Sequence, residues 1–491
     1  MKHQKQVLPI EKKLKQTTRA TLIPHAGYTF AGHARYAALR YFKKTTKRII
    51  YLATLHKIEH TSKTYILHKD PGFRLGKHHF FPTNKKEHSF DWVHDELVDF
   101  FPSAKILALA PDNRVNNLHQ WITNYLKKHK DSILIATTDL IHYGEKFKNK
   151  DYLSYPHQMD KLIKEEKLIN AMVNVNTHAV TDILRSDPQV ADGPKTVEIF
   201  MKVMSDMNYK GKVADYYDSY GSQKVLLDRY VIHQDPINNL VSYVSIIYGD
   251  YTKVDDLLPI DILMVLGLVK SILMRDILQK KYSLRLPIWS PLYQRKQGIF
   301  VGTALNYKTN CSYGQYENGL STAEKIIKAT ENCANDASQR WKIPYDPQMI
   351  NNLSYKIEFL DPQGEWSKPF LGSKIFKKFK ADGKQGIYLT LKDGKAATYL
   401  PIVFRENPEW SISKAMEKLT EKAEGHTPNQ KNKWKEGTIQ TYKSNSYTWN
   451  PHTKMIDIFP PPIIKIKRNN RRSRYSKKRP VTKKRKTRKK H

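Results

Sequence analysis

Four short apolar runs punctuate the first part of the chain: Thr21-Leu22-Ile23, Ile49-Ile50-Tyr51-Leu52-Ala53, Ile106-Leu107-Ala108-Leu109-Ala110 and Ile133-Leu134-Ile135-Ala136. Each is continuously apolar, as expected of parallel strands buried on both faces. Between them apolar positions recur at helical spacing, as from Ala31 to Phe42, Phe90 to Phe101 and Asn116 to Lys128. Strand alternating with amphipathic helix predicts an α/β, doubly wound, mostly parallel sheet.

The pattern changes after Gly249. Leu257, Leu258, Ile262, Leu263, Leu266, Val269, Ile272, Leu273 and Ile277 form one stripe, predicting a core-facing helix over Val254–Lys280. Beyond Pro287 and Pro291 the signals are mixed. Ile299 to Thr303 and the alternating Leu353 to Leu360 read as strands, and Ser321 to Trp341 reads as a helix. Gly386 to Leu391 and Ala397 to Pro401 flank Lys392-Asp393-Gly394-Lys395, a hairpin signal through Asp-Gly. Trp410 to Ala423 is helical again, so this part is predicted to be α+β around an antiparallel sheet. The expected divisions are a basic N-terminal segment over 1–19, an α/β domain over 20–250, an α+β domain over 251–455 and a basic tail over 456–491.

Charge changes this picture at the C-terminus. The net charge is +37, and Lys465 to His491 alone carries sixteen Lys/Arg and no Asp/Glu, leaving +21 on a body that is itself basic. Like-charge repulsion and low hydrophobicity predict a disordered tail. Its clusters Lys477-Lys478-Arg479 and Lys483-Lys484-Arg485-Lys486 fit a nuclear-import signal or a nucleic-acid arm holding phosphates by counterion release. No apolar run is long enough to span a membrane. The N-terminus lacks the apolar core of a secretory signal. Two cysteines, Cys311 and Cys333, make neither a disulfide framework nor a four-cysteine zinc site, and Cys333 on its helix reads as a small core residue. The expected location is intracellular, cytoplasmic or nuclear. No repeat, P-loop or dinucleotide fingerprint is present.

The candidate chemistry lies just past the apolar runs. His25 follows the first, Thr54-Leu55-His56 the second, and Thr137-Thr138-Asp139-Leu140-Ile141-His142 the fourth. Parallel strands would bring His25, His56, Asp139 and His142 to one sheet edge, where ligands bind in open α/β sheets. Sixteen of the nineteen histidines precede residue 250, so a lone histidine there could simply cap a turn; several at strand ends beside an aspartate make a site. Imidazole and carboxylate are ligands for iron, zinc or copper.

The runs Pro24-His25-Ala26-Gly27-Tyr28, Glu87-His88-Ser89 and Thr138-Asp139-Leu140-Ile141-His142-Tyr143-Gly144, with a strand ending in His56 between them, resemble the Memo family. That family shares its fold with LigB-type extradiol dioxygenases, which use non-haem iron. The resemblance runs from about Ala20 to Tyr248. It implies metal ligation by His25 and His56, with Asp192 where the family usually has a cysteine before glycine. Asp192 in place of a thiolate favours iron(II) over copper(I), copper or zinc being the other candidates. Asp192 equally suits the N-cap of a helix starting near Pro194. Asp139 is expected to orient a ligand imidazole, with His142 as acid–base group or substrate contact; a buried hydrogen-bonded pair is their alternative. His88, Asp91 and Tyr28 complete the candidate set, while a family histidine is replaced by Val93, with His94 one position later.

The later segments Val301-Gly302-Thr303, Gly386 to Val403, and Trp410 with Leu419, Lys422 and Ala423 resemble an AMMECR-type domain over about Asp255 to Asn450. That family's usual cysteine is missing here, where the chain reads Gln297-Gly298-Ile299-Phe300. Similar pairings occur beside a radical SAM protein; this chain has no cluster-binding cysteine motif, so such a partner would be separate. The resemblances imply a Memo-like metal-binding protein of the extradiol-dioxygenase-like oxidoreductase type, acting on a small molecule or peptide. The alternative is a non-catalytic scaffold held on nucleic acid by its tail.

Overall fold

The computed structural model describes residues 9–459 except 58–60, 76–79, 85, 148–154, 222–226, 228–238, 252–256, 279–284, 306–307, 317–318, 340–345, 361–365 and 426–431. The chain begins with α1 (Pro9–Thr17), whose Leu14 is buried, so part of the basic N-terminal segment is packed helix. β1 (Thr18–Ile23) leads into α2 (Tyr28–Leu39) and β2 (Arg48–Leu52). β3 (Thr64–Lys69) and β4 (Phe80–Pro82) precede α3 (His88–Phe100), β5 (Lys105–Pro111), α4 (Leu118–Lys128) and β6 (Ser132–Thr137). β7 (His142–Gly144) is followed by α5 (Tyr155–Val173), α6 (Thr177–Ser186) and α7 (Pro194–Asp206). β8 (Lys210–Asp218) and the long β9 (Asn239–Gly249) end this part.

These strands form one nine-stranded sheet, ordered β4-β3-β5-β2-β6-β1-β9-β7, with β8 also on β9. The four apolar runs are its centre, and β5, β2, β6 and β1 are mutually parallel. Every residue of β6 is buried, as a strand covered on both faces requires. The expectation of a mostly parallel sheet needs correction. β3 pairs antiparallel with β5, and β9 pairs antiparallel with β1, β7 and β8, giving a mixed sheet. The flanking strands mix polar with apolar residues, so no continuous apolar run announced their direction.

α8 (Pro259–Leu278) confirms the predicted stripe: Leu266, Val269 and Ile272 are fully buried. It packs against β8 and also against α9 (Thr322–Gln339) and a second sheet. That sheet contains β10 (Ile299–Leu305), β11 (Lys308–Gln315) and, after the short α10 (Pro347–Asn351), β12 (Ser354–Leu360). One hydrophobic cluster runs from Leu14 through α8 to Trp449, so the two sheets share a core. Cys311 and Cys333 are both buried in it and are joined as a disulfide, with Cα atoms 5.5 Å apart. The core position of Cys333 was legible in the sequence; its partner 22 residues away was not.

The remaining elements are β13 (Phe370–Leu371), α11 (Ile375–Lys378), β14 (Gly386–Thr390), β15 (Ala396–Tyr399), α12 (Pro401–Glu406) and α13 (Ile412–Ala423). β16 (Thr438–Tyr442), β17 (Ser444–Asn450) and β18 (Met455–Phe459) follow. This part is α+β as expected, but in place of the one antiparallel sheet predicted it has two, β11-β10-β12-β17-β18 and β13-β16-β14-β15. The β14–β15 hairpin turns through Gly394, whose φ of +84° is the left-handed region that glycine enters without strain. A separate core of Ile387, Leu389, Met416, Leu419 and Trp434 fills the four-stranded sheet's module. The expected tail over 456–491 needs correction at its start, because residues 456–459 belong to β18, paired antiparallel with β17. The rest of it, with Lys477, Lys478, Arg479, Lys483, Lys484, Arg485 and Lys486, lies outside the described residues. Among the described residues no helix is long and apolar enough to cross a membrane.

Candidate metal centre

β2, β6 and β1 are neighbours and parallel, so their carboxyl ends share one edge, with Ile23 beside Thr137 and Leu52 beside Ala136. The residues next in sequence turn over this edge. His25 is 1% exposed. Its backbone N–H donates to Asp139 Oδ1 at 2.8 Å, and its Nδ1 shares a hydrogen bond with Thr137 Oγ1 at 3.0 Å. The turn is gripped from behind by the buried Arg35 of α2, which donates to the carbonyls of Pro24 and Ala26 and pairs with Glu96 of α3.

Asp192 arrives from the other side. Its segment is stitched to the loop after β6 by a bridge between Leu140 and Ala191 and by Asp192 N–H donating to Asp139 O at 3.2 Å. Asp192 Oδ1 accepts from Thr138 Oγ1 and from the Asp139 N–H, both at 2.9 Å. The helix-cap role is therefore not the one adopted: Gly193 holds the N-cap of α7, without a side-chain cap bond. Asp192 Oδ2 instead faces His25 Nε2 at 2.9 Å and His56 Nε2 at 3.6 Å.

His56 is oriented by Glu87, which the candidate set lacked. His56 Nδ1 donates to Glu87 Oε1 at 2.7 Å, and the His56 N–H donates to Oε2 at 3.1 Å. An ionised carboxylate only accepts, so the Nδ1 proton is fixed and Nε2 is the nitrogen left for a cation. Glu87 is also the N-cap of α3, accepting from the Ser89 N–H, and Ser89 Oγ donates to Thr54 O at 2.7 Å. An acid at the start of an amphipathic helix was the available signal; its bond to a residue 31 positions earlier was not.

The donor spacing can be tested against an ion. Ligand atoms about 2.0–2.2 Å from one metal and roughly 90–109° apart lie about 2.8–3.6 Å from each other. The contacts of 2.9 and 3.6 Å at Asp192 fall within that span. His25, His56 and His88 also offer nitrogens within 4.8 Å of one another, and so do His25, Asp139 and Asp192 through one donor atom each. The residues present fit a divalent cation held by nitrogen and oxygen.

Electrostatics separates the two aspartates. Burial pushes the Asp139 carboxyl upward, and the neighbouring Asp192 adds to that push. Burial acts on Asp192 as well, but His25 and His56 outweigh it and hold it well below the usual carboxylate range. Two carboxyls pushed in opposite directions suit one negative ligand and one proton-holding group. Burial disfavours protonation of both imidazoles. Even so, Asp139 and Asp192 raise His25, while Asp192 and Glu87 lift His56 to about 9. His88 is lowered by burial and by the charges of His56 and His25.

The other candidates divide. His88 sits at the start of α3 with its ring centroid 3.9 Å from that of His56 and 4.7 Å from that of Trp92. His142 is half-buried, donates through Nδ1 to Leu140 O at 2.9 Å, and lowers both aspartates by its charge. Asp91 is exposed on α3. Tyr28, first in α2, is 74% exposed with its ring against Gly32, outside the donor cluster. His94 packs on His68 and Phe90 instead.

Residues 78–228 match the family model described as Memo-like protein. The chain carries a Memo-like domain. The matched span holds His88, Asp139, His142 and Asp192, whereas His25 and His56 precede it. Among solved structures, the crystal structure of the uncharacterized protein PH0010 from Pyrococcus horikoshii is similar at 17% identity and a TM-score of 0.34, over 40% of this chain and 94% of that one. No curated protein matches the chain.

Proposed function

We propose that the Memo-like domain binds a divalent metal through His25, His56 and Asp192, and that it is a non-haem iron-dependent oxidoreductase of the extradiol-dioxygenase-like type. The observation that carries this reading is the convergence of two imidazole Nε2 atoms on one carboxylate oxygen, at 2.9 and 3.6 Å. Two histidines and one carboxylate are a ligand set suited to iron(II), which when bound would supply oxygen activation. Glu87 and Thr137 fix the rings that would hold it. In this reading Asp139, pushed toward its protonated form, would hold a proton beside His25, and His142, whose charge acts on both aspartates, would be the further acid–base group. Residues 251–455 are read as an AMMECR-type module, on Val301-Gly302-Thr303 in β10 and the β14–β15 hairpin.

A second reading is a non-catalytic metal- or peptide-binding scaffold, and His88 favours it. A third imidazole within 4.8 Å of His25 and His56 would add a ligand and suit zinc or copper.

The test is metal content of the purified full chain beside His25→Ala, His56→Ala and Asp192→Ala. Each substitution is expected to reduce bound metal by about tenfold or more at limiting metal. Wild-type metal content in all three would remove the site. Metal bound without oxygen uptake on any catechol-like or thiol substrate would select the scaffold reading.

A further inference from the structure

A cleft opens beside the donor cluster, with an empty volume of about 510 Å³ that includes open solvent. His56, Glu87 and His88 line its inner side. Leu55, Leu67 and the buried Tyr65 give it an apolar wall. Two exposed lysines, Lys57 and Lys86, also line it, and neither makes an ion pair among the described residues. The one carboxylate in the lining, Glu87, is already committed: Oε1 accepts from His56 Nδ1 and the Ser89 N–H, and Oε2 accepts from the His56 N–H. The cleft thus combines an apolar surface with two positive charges that nothing described neutralises, on a strongly basic protein.

We propose that this cleft takes an amphipathic anion. The ligand would have an apolar body against Leu55, Tyr65 and Leu67, a carboxylate or phosphate on Lys57 and Lys86, and its other end at His56 and His88. Lysine ammonium groups are compact charges that accept either anion, so carboxylate and phosphate share the site's chemistry. The apolar wall disfavours a fully hydrated inorganic ion and selects an organic one. That this anion is the substrate rests on the metal-site reading; its binding does not.

The test is calorimetric titration of the full chain, stripped of metal by chelation, in phosphate-free buffer. The probes are hydrocinnamate, its neutral isostere hydrocinnamamide, and phenyl phosphate, against wild type and the Lys57→Ala/Lys86→Ala double variant. Wild type is expected to prefer hydrocinnamate over the amide by roughly tenfold or more, as charge-assisted contacts allow. In the double variant that preference should fall to about one, with amide affinity unchanged, because the apolar wall is intact. No anion binding, no preference in wild type, or a preference that survives loss of both lysines would overturn the proposal. Tighter binding of phenyl phosphate than of hydrocinnamate assigns the headgroup as phosphate, and the reverse assigns carboxylate. Metal content of the same preparations before stripping tests the site reading separately.

Discussion

At the scale of single residues, the site depends on which nitrogen of each histidine is free. Glu87 decides this for His56 through two hydrogen bonds. Glu87→Gln keeps a carbonyl oxygen for the Ser89 N–H but removes the charge that fixes the imidazole. Metal affinity measured by chelator competition should drop about 10–100-fold, with far-UV circular dichroism unchanged. An unchanged affinity would mean that His56 does not bind the metal in this orientation. The sequence placed His25, His56, Asp139 and His142 on one edge because strand ends are local features. It left Asp192 between ligand and cap, since both roles suit an aspartate before Gly-Pro. The structure answers only the cap: Gly193 holds the N-cap of α7, and Asp192 Oδ1 accepts instead from Thr138 and the Asp139 N–H, more than fifty positions away.

At the scale of elements, the start of α7 must lie close against the ends of β2 and β6. A Cβ on Gly193 would sit 2.3 Å from Thr54 Oγ1 and 3.3 Å from Thr137 O. Gly193→Ala should therefore lift α7, displace Asp192 and destabilise the fold by about 1–3 kcal/mol. A lowered melting temperature together with weaker metal binding is the expected pair of results; wild-type values for both would refute the close packing. α8 carries a pH effect of its own. Asp261 is buried near its start, and burial lifts its carboxyl to about 6, although it accepts the Leu258 N–H at 2.7 Å. A folded value above the unfolded one means that the native state holds the proton more tightly. Stability from this group is then lost as pH rises from about 4 through 6, by up to about 3 kcal/mol. Asp261→Asn, neutral throughout and still able to accept that N–H, should be more stable than wild type at pH 8, with the gain fading toward pH 4. Thermal melts across that range would show it, and an equal gain at both ends would contradict it.

At the scale of the whole molecule, α8 ties the nine-stranded sheet and the five-stranded sheet into one core, while the four-stranded sheet keeps its own. The role expected of the basic tail is phosphate binding by counterion release. A full-length chain with Lys477, Lys478, Arg479, Lys483, Lys484, Arg485 and Lys486 changed to serine should bind duplex DNA more weakly. Its affinity should also fall less steeply with salt, as read by fluorescence anisotropy between about 50 and 200 mM salt. An identical salt slope would exclude the tail from phosphate binding. What the sequence determined alone was whatever a short window encodes: apolar runs that become buried strands, helical stripes, the Asp-Gly hairpin and the charge of the tail. Tertiary structure decided the antiparallel flanks of the first sheet, the Cys311–Cys333 pairing, the grip of Arg35 on the His25 turn and the partner of Glu87. Each of these joins residues distant in the chain, and a side chain's bonding partner is set by what the fold brings beside it rather than by its neighbours in sequence.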